Sequence, residues 1–156
     1  MPTRTRKLGS LARHSLVAFC TIFALPIAKA QDKIIKLPEE IVYKAPLAGV
    51  PEVAVLFGDP TKPGVYVTRV KIPTGLKLPP HWHPDEVRTV VVLSGTLLHG
   101  YGEQWDEKQL KAHPPGTFFS EPSKAPHFAW AKDSEVVLQI TATGPTATTN
   151  IPQPSK

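Results

Sequence analysis

With 156 residues the chain is long enough for one compact domain and too short for two of ordinary size. Its formal charge of +5 does not point to nucleic acid, because Arg4, Arg6, Lys7, Arg13 and Lys29 all lie in the first thirty residues with no acidic residue among them, leaving 13 basic against 13 acidic residues. The single cysteine, Cys20, lies in the same segment, so the remainder can build neither a disulfide framework nor a thiolate metal site.

Residues 1–30 read as a secretory signal peptide: a basic start, an apolar run from Leu16 to Leu25 too short to span a bilayer with confidence, and the small-x-small sequence Ala28-Lys29-Ala30. Cleavage after Ala30 predicts a periplasmic or secreted protein with no membrane contact once the signal is removed. Residues 31–144 form the domain body and residues 145–156 a Pro/Thr-rich tail without periodicity, expected to drape over the surface or stay disordered.

Along the body, Lys33 to Pro46 reads as an extended lead-in interrupted by Pro38. Val53 to Phe57 is a short strand ending in the Gly58-Asp59-Pro60 turn. Val65 to Ile72 is a β-branched strand with Tyr66, Thr68, Val70 and Ile72 on one face. Thr89 to Leu93 is a continuous apolar run, as in a strand buried on both faces, and the Ser94-Gly95 turn predicts a hairpin with Thr96 to Tyr101. Glu103 to Lys111 has helical composition but room for little more than one turn. Thr117 to Ser120, His127 to Ala131 and Glu135 to Thr141 complete the strands. Many short strands, frequent proline turns and almost no helix predict an all-β barrel or sandwich.

The chemistry concentrates between Gly75 and Gly95. In an extended strand His81 and His83 point to the same face and Trp82 to the other, a geometry suited to metal chelation, and His127 is the candidate for a third ligand. Three imidazoles suit Fe, Mn, Zn, Ni or Cu and leave coordination positions open.

The spacing resembles that of the cupin superfamily. Gly75, five residues, His81-x-His83, four residues, Arg88, six residues and Gly95 is similar to the first cupin motif, in which the residue before the six-residue spacer is normally Glu. Gly116, five residues, Pro122-x-Lys124-x-x-His127 and Ala131 resembles the second motif, with Lys124 in place of a usual Gly and Ala131 in place of a usual Asn. The text HWHPDEVRTVVVLSG and the later PHFAWAK also look like small secreted bacterial single-domain cupins. The resemblance implies an all-β, single-domain cupin jelly-roll β-barrel of RmlC-like type, holding a divalent transition metal through His81, His83 and His127.

The departure at Arg88 matters, because a guanidinium cannot ligate a cation. Two arrangements are open. A bulge at Pro84-Asp85 could turn Glu86 inward as fourth metal ligand, or the site is three-histidine only and Arg88 clamps an anionic group beside the metal. Glu86 and Arg88 are therefore the candidate catalytic residues. His99 reads as a plain histidine or as a neighbour of the site, His113 as a loop residue, and Trp130 or Phe119 as cavity-lining aromatics among core packers. Gln139 and Thr141 share a face of their strand. The expectation is either a metalloenzyme of dioxygenase, isomerase or lyase type, with an anionic or oxygen-rich metabolite as substrate, or a non-catalytic ligand-binding or metal-sensing barrel. The partner is a small molecule and not nucleic acid, and the resemblance allows a homodimer.

Overall fold

The computed structural model describes residues 33–47 and 49–154; the proposed signal peptide lies outside the described residues. Ten strands run in chain order: β1 Glu52–Phe57, β2 Gly64–Ile72, β3 Lys77–Trp82, β4 Arg88–Ser94, β5 Leu97–Tyr101, β6 Lys111–His113, β7 Phe118–Ser120, β8 His127–Trp130, β9 Val136–Gly144 and β10 Thr149–Asn150. Among the described residues the helical stretches are single 3₁₀ turns at Pro38–Glu40 and Glu107–Gln109, and no helix is long and apolar enough to cross a membrane. Prolines every few residues explain both facts, since each removes a backbone donor and ends a run.

The strands form two five-stranded antiparallel sheets, ordered β1-β2-β9-β4-β7 and β10-β3-β8-β5-β6. They close face to face over one core of Tyr66, Ile72, Val90, Val92, Leu97, Ala129, Ala131, Val136, Leu138, Ile140 and Ala142. Strand β2 behaves as its alternation predicts: Tyr66, Thr68 and Ile72 are buried while Val65 is exposed.

Two expectations fail for topological reasons. Strands β4 and β5 are not a hairpin: β4 pairs with β7 and β9, and β5 pairs with β6 and β8, so the turn between them carries the chain from one sheet to the other. Gly95 makes this crossing with φ of +70°, and any side chain there would overlap the carbonyl oxygen of Glu135. Nor is β4 buried on both faces, because Val90 and Val92 point into the core whereas Leu93 is exposed. The C-terminal stretch also does more than drape over the surface. Residues Thr149 and Asn150 pair with Trp82 and His81, and the Ile151 amide donates to the Pro80 carbonyl at 2.8 Å, adding an edge strand beside the histidine pair.

Candidate metal centre

Strands β3 and β8 are neighbours, with His81 directly opposite His127. Both point into the space between the sheets, and His83, just past the end of β3, joins them from the same face. The ring centroids are 5.1 Å (His81–His83), 4.4 Å (His81–His127) and 5.3 Å (His83–His127) apart. One nitrogen from each ring lies within 4.8 Å of the others, a group that could hold a metal ion. All three rings are buried, His127 most deeply at 2 % exposure.

Each imidazole is held from behind by a backbone carbonyl. His81 Nδ1 lies 2.7 Å from the Pro79 oxygen, His83 Nδ1 2.8 Å from the Ala147 oxygen, and His127 Nδ1 3.0 Å from the Ala125 oxygen. A carbonyl only accepts, so Nδ1 carries a proton in each ring, and in the neutral ring the lone pair is left on Nε2. Backbone support of this kind orients ligating histidines and fixes their tautomer. The Nε2 of His127 is buried without a hydrogen-bond partner, an exposed lone pair in a dry place. Three imidazoles, each oriented through Nδ1 and turning Nε2 toward the others, fit a borderline transition metal.

The expected fourth ligand is not with them. Residues 83–87 form a loop between β3 and β4, so strand alternation does not apply, and Glu86 is exposed, outside the histidine group. Its neighbour Asp85 takes the inward position, accepting from the Tyr66 hydroxyl at 2.6 Å and the Thr146 hydroxyl at 2.7 Å. Arg88 does point inward, but its guanidinium already has protein partners. Nε donates to Glu121 Oε2 at 2.5 Å and Nη1 to the Tyr66 hydroxyl at 2.9 Å, with Asp85 3.9 Å away. The positive charge expected for an anion clamp is met within the protein.

Glu121 is the residue that sequence reasoning passed over. It follows β7, where Ser120 pairs with Thr89, and its amide donates to the Arg88 carbonyl, so the two side chains face each other across the strands. A search for compensating charge near Arg88 along the chain finds Glu86; the pairing of β4 with β7 supplies it from the second motif. Burial pushes the Glu121 carboxyl up, and the Arg88 guanidinium, which also donates a hydrogen bond to it, outweighs this, leaving it below the usual glutamate value.

A second histidine pair lies beside the triad. His99, 2 % exposed, sits 5.6 Å from His127 and 5.4 Å from His113, ring centre to ring centre, with Phe119 4.8 Å from both. His113 is on strand β6 and faces inward rather than lying in a loop. His99 Nε2 and His113 Nδ1 are buried without hydrogen-bond partners. Burial depresses both rings, His99 to about 4, and burial also takes His83 to about 4 with the Arg88 charge adding to it. These imidazoles are neutral at physiological pH.

The other candidates face outward. Trp130 lies on the outer face under the Lys77 ammonium, 4.2 Å from its ring centre. Gln139 and Thr141 alternate with the buried Leu138, Ile140 and Ala142 and so look away from the site.

No family model matches the chain, and no curated protein sequence matches it significantly. Solved structures do. The polyketide cyclase RemF from Streptomyces resistomycificus superposes with a TM-score of 0.63 at 16 % identity, over 78 % of this chain and 86 % of that one. An RmlC-like cupin from Shewanella frigidimarina gives 0.57 at 13 % identity, over 73 % and 94 %. A cupin-superfamily sugar phosphate isomerase from Silicibacter pomeroyi gives 0.53 at 16 % identity, over 72 % and 76 %. With two antiparallel sheets closed on a buried histidine triad, and with these neighbours, the chain has the cupin, RmlC-like double-stranded β-helix fold.

Proposed function

We propose that this protein binds one divalent transition metal through His81, His83 and His127 and works as a small-molecule metalloenzyme of isomerase, lyase or dioxygenase type on an anionic or oxygen-rich metabolite. The observation that carries the reading is the set of three backbone carbonyls, of Pro79, Ala147 and Ala125, each fixing Nδ1 and leaving Nε2 free. When bound, the metal supplies Lewis acidity or activates oxygen. The chain's own part is to keep three imidazoles aligned, to exclude water by burying them, and to offer polar groups beside them. His99 Nε2 is one such group, neutral and unpartnered, able to accept or donate a proton next to His127. A cyclase and an isomerase share the fold, which makes catalysis on a small molecule a fair expectation and does not name the reaction.

Metal analysis of purified full-length protein tests the premise. About one equivalent of a transition metal, or uptake of one on titration, is expected; no uptake by folded protein overturns it. Oxygen consumption and product formation over a panel of small diols, phenols, sugar acids and carboxylates then separate enzyme from binder.

A second reading, a non-catalytic ligand-binding or metal-sensing barrel, is favoured by the near closure of the triad, whose histidines are 8 %, 8 % and 2 % exposed. The signal-like first thirty residues support a periplasmic or secreted site of action for either activity, and the balanced charge of the rest supports a small molecule rather than nucleic acid as partner.

A further inference from the structure

We infer that Glu121 is the fourth protein ligand of this centre and that Arg88 is the positioning residue that holds its carboxylate there. The inference rests on the metal-binding reading above and concerns what completes the site. Glu121 Oε1 lies 3.5 Å from His127 Nε2, and that nitrogen has no hydrogen-bond partner. The Ala125 carbonyl puts a proton on His127 Nδ1, so in the neutral ring Nε2 presents a lone pair. A carboxylate oxygen also only accepts. With His127 neutral, two buried acceptors face one another with nothing donated between them, which is unfavourable unless a metal ion, or a second proton on the ring, sits between them. That one separation is what a shared ion allows, since donors each about 2.1 Å from a metal lie about 3.4 Å apart in a tetrahedral site. Glu121 lies outside the group formed by His81, His83 and His127, so its carboxylate has to close toward His81 and His83 when the ion enters.

Charge and topology agree with this. The position where a ligating carboxylate was expected on β4 carries Arg88, and the carboxylate stands directly across the ladder, bonded to that same side chain through Oε2. Ligand and support have exchanged strands. Tyr66 and Asp85 hold the far side of the guanidinium, through the Nη1 bond to the Tyr66 hydroxyl and the Tyr66 bond to Asp85, so Arg88 cannot swing out and take Glu121 with it. The donor set becomes three imidazoles and one carboxylate, which lowers the net charge of the loaded centre by one relative to three histidines alone.

The test compares full-length wild type with E121Q, R88M and the double variant R88M/E121L, which replaces the buried ion pair by two apolar side chains and so guards against simple misfolding. Zn²⁺ affinity is read by chelator competition, and the visible spectrum of Co²⁺-loaded protein reports the donor set. E121Q and the double variant are expected to lose at least about 100-fold in Zn²⁺ affinity and to change the Co²⁺ spectrum. R88M, which keeps the carboxylate, is expected to keep the wild-type spectrum and to lose about tenfold or less. If E121Q and R88M/E121L bind Zn²⁺ within about threefold of wild type with the Co²⁺ spectrum unchanged, Glu121 is not a ligand, while the three-histidine reading stands. If wild type takes up neither metal, both fall.

Discussion

Lys124 shows how a single residue can depart from a motif while the backbone keeps its demand. It occupies the place of a usual glycine, and its φ of 57° puts it in the left-handed region, with its amide donating to the His83 carbonyl at 2.8 Å. Left-handed backbone costs a non-glycine residue about 1–2 kcal/mol, offset in part by the entropy a glycine loses on folding. Lys124→Gly should therefore match wild-type stability or exceed it by up to about 1 kcal/mol, whereas the β-branched Lys124→Val should lose about 1–2 kcal/mol, both measured by urea unfolding. Tyr66 is a second such point, buried and bonded to both Asp85 and Arg88. Tyr66→Phe leaves those groups short of a partner and should cost about 1–3 kcal/mol in the same assay. His81 and His83 were legible because strand alternation turns both to one face, and His127 because it stands at the histidine position of the second motif that the sequence resembles. Glu121 was not, since its meaning depends on which strand β7 pairs with. Glu86 was one of two open arrangements, dependent on a bulge at Pro84-Asp85; in the loop it is Asp85 that turns inward, to the Tyr66 and Thr146 hydroxyls, and Glu86 is exposed.

At the level of elements, strand positions were readable from β-branched runs and proline turns, and β1, β2, β4, β5, β7, β8 and β9 all lie close to where the sequence places them. Which strand joins which sheet was not readable, because the Ser94-Gly95 turn has the composition of a hairpin and the geometry of a corner. Strand β6, only three residues long, carries no periodicity to detect. The C-terminal stretch looked disordered by composition, yet backbone pairing with β3 needs no particular side chains, and this is where its order comes from. Its Ala147 carbonyl is the support behind His83, and the Thr146 hydroxyl is one of the two donors to Asp85. Ending the chain after Thr146 should therefore weaken Zn²⁺ binding by about 10–100-fold by chelator competition, in protein whose circular dichroism still reports the two sheets. Unchanged affinity would mean that His83 finds its orientation without the tail.

For the whole molecule, the interior is a stack: triad and ion-pair network at one level, His99, His113 and Phe119 beside it, aliphatic core beyond. The buried imidazoles tie stability to pH. Between the unfolded value near 6.5 and the folded value of about 4 for His99 and His83, the unfolded chain takes up protons that the folded one refuses. Stability of the metal-free protein should then be level above pH 6.5 and fall as pH drops toward 4, by up to about 1.4 kcal/mol per pH unit for each such ring. Urea unfolding from pH 5 to pH 8 measures the slope, and His99→Gln should reduce it by one ring's share. The fold class was legible from strand length and turn frequency, but this layering was not, because it arises from two sheets meeting. The strand formed by Thr149 and Asn150 adds a matter of timing. Chain synthesis delivers all three histidines well before Ala147, so a growing polypeptide can hold the ligands without yet holding the support that aims His83. Until Ala147 stands behind His83, the expectation is weaker metal binding by a misaimed third ring.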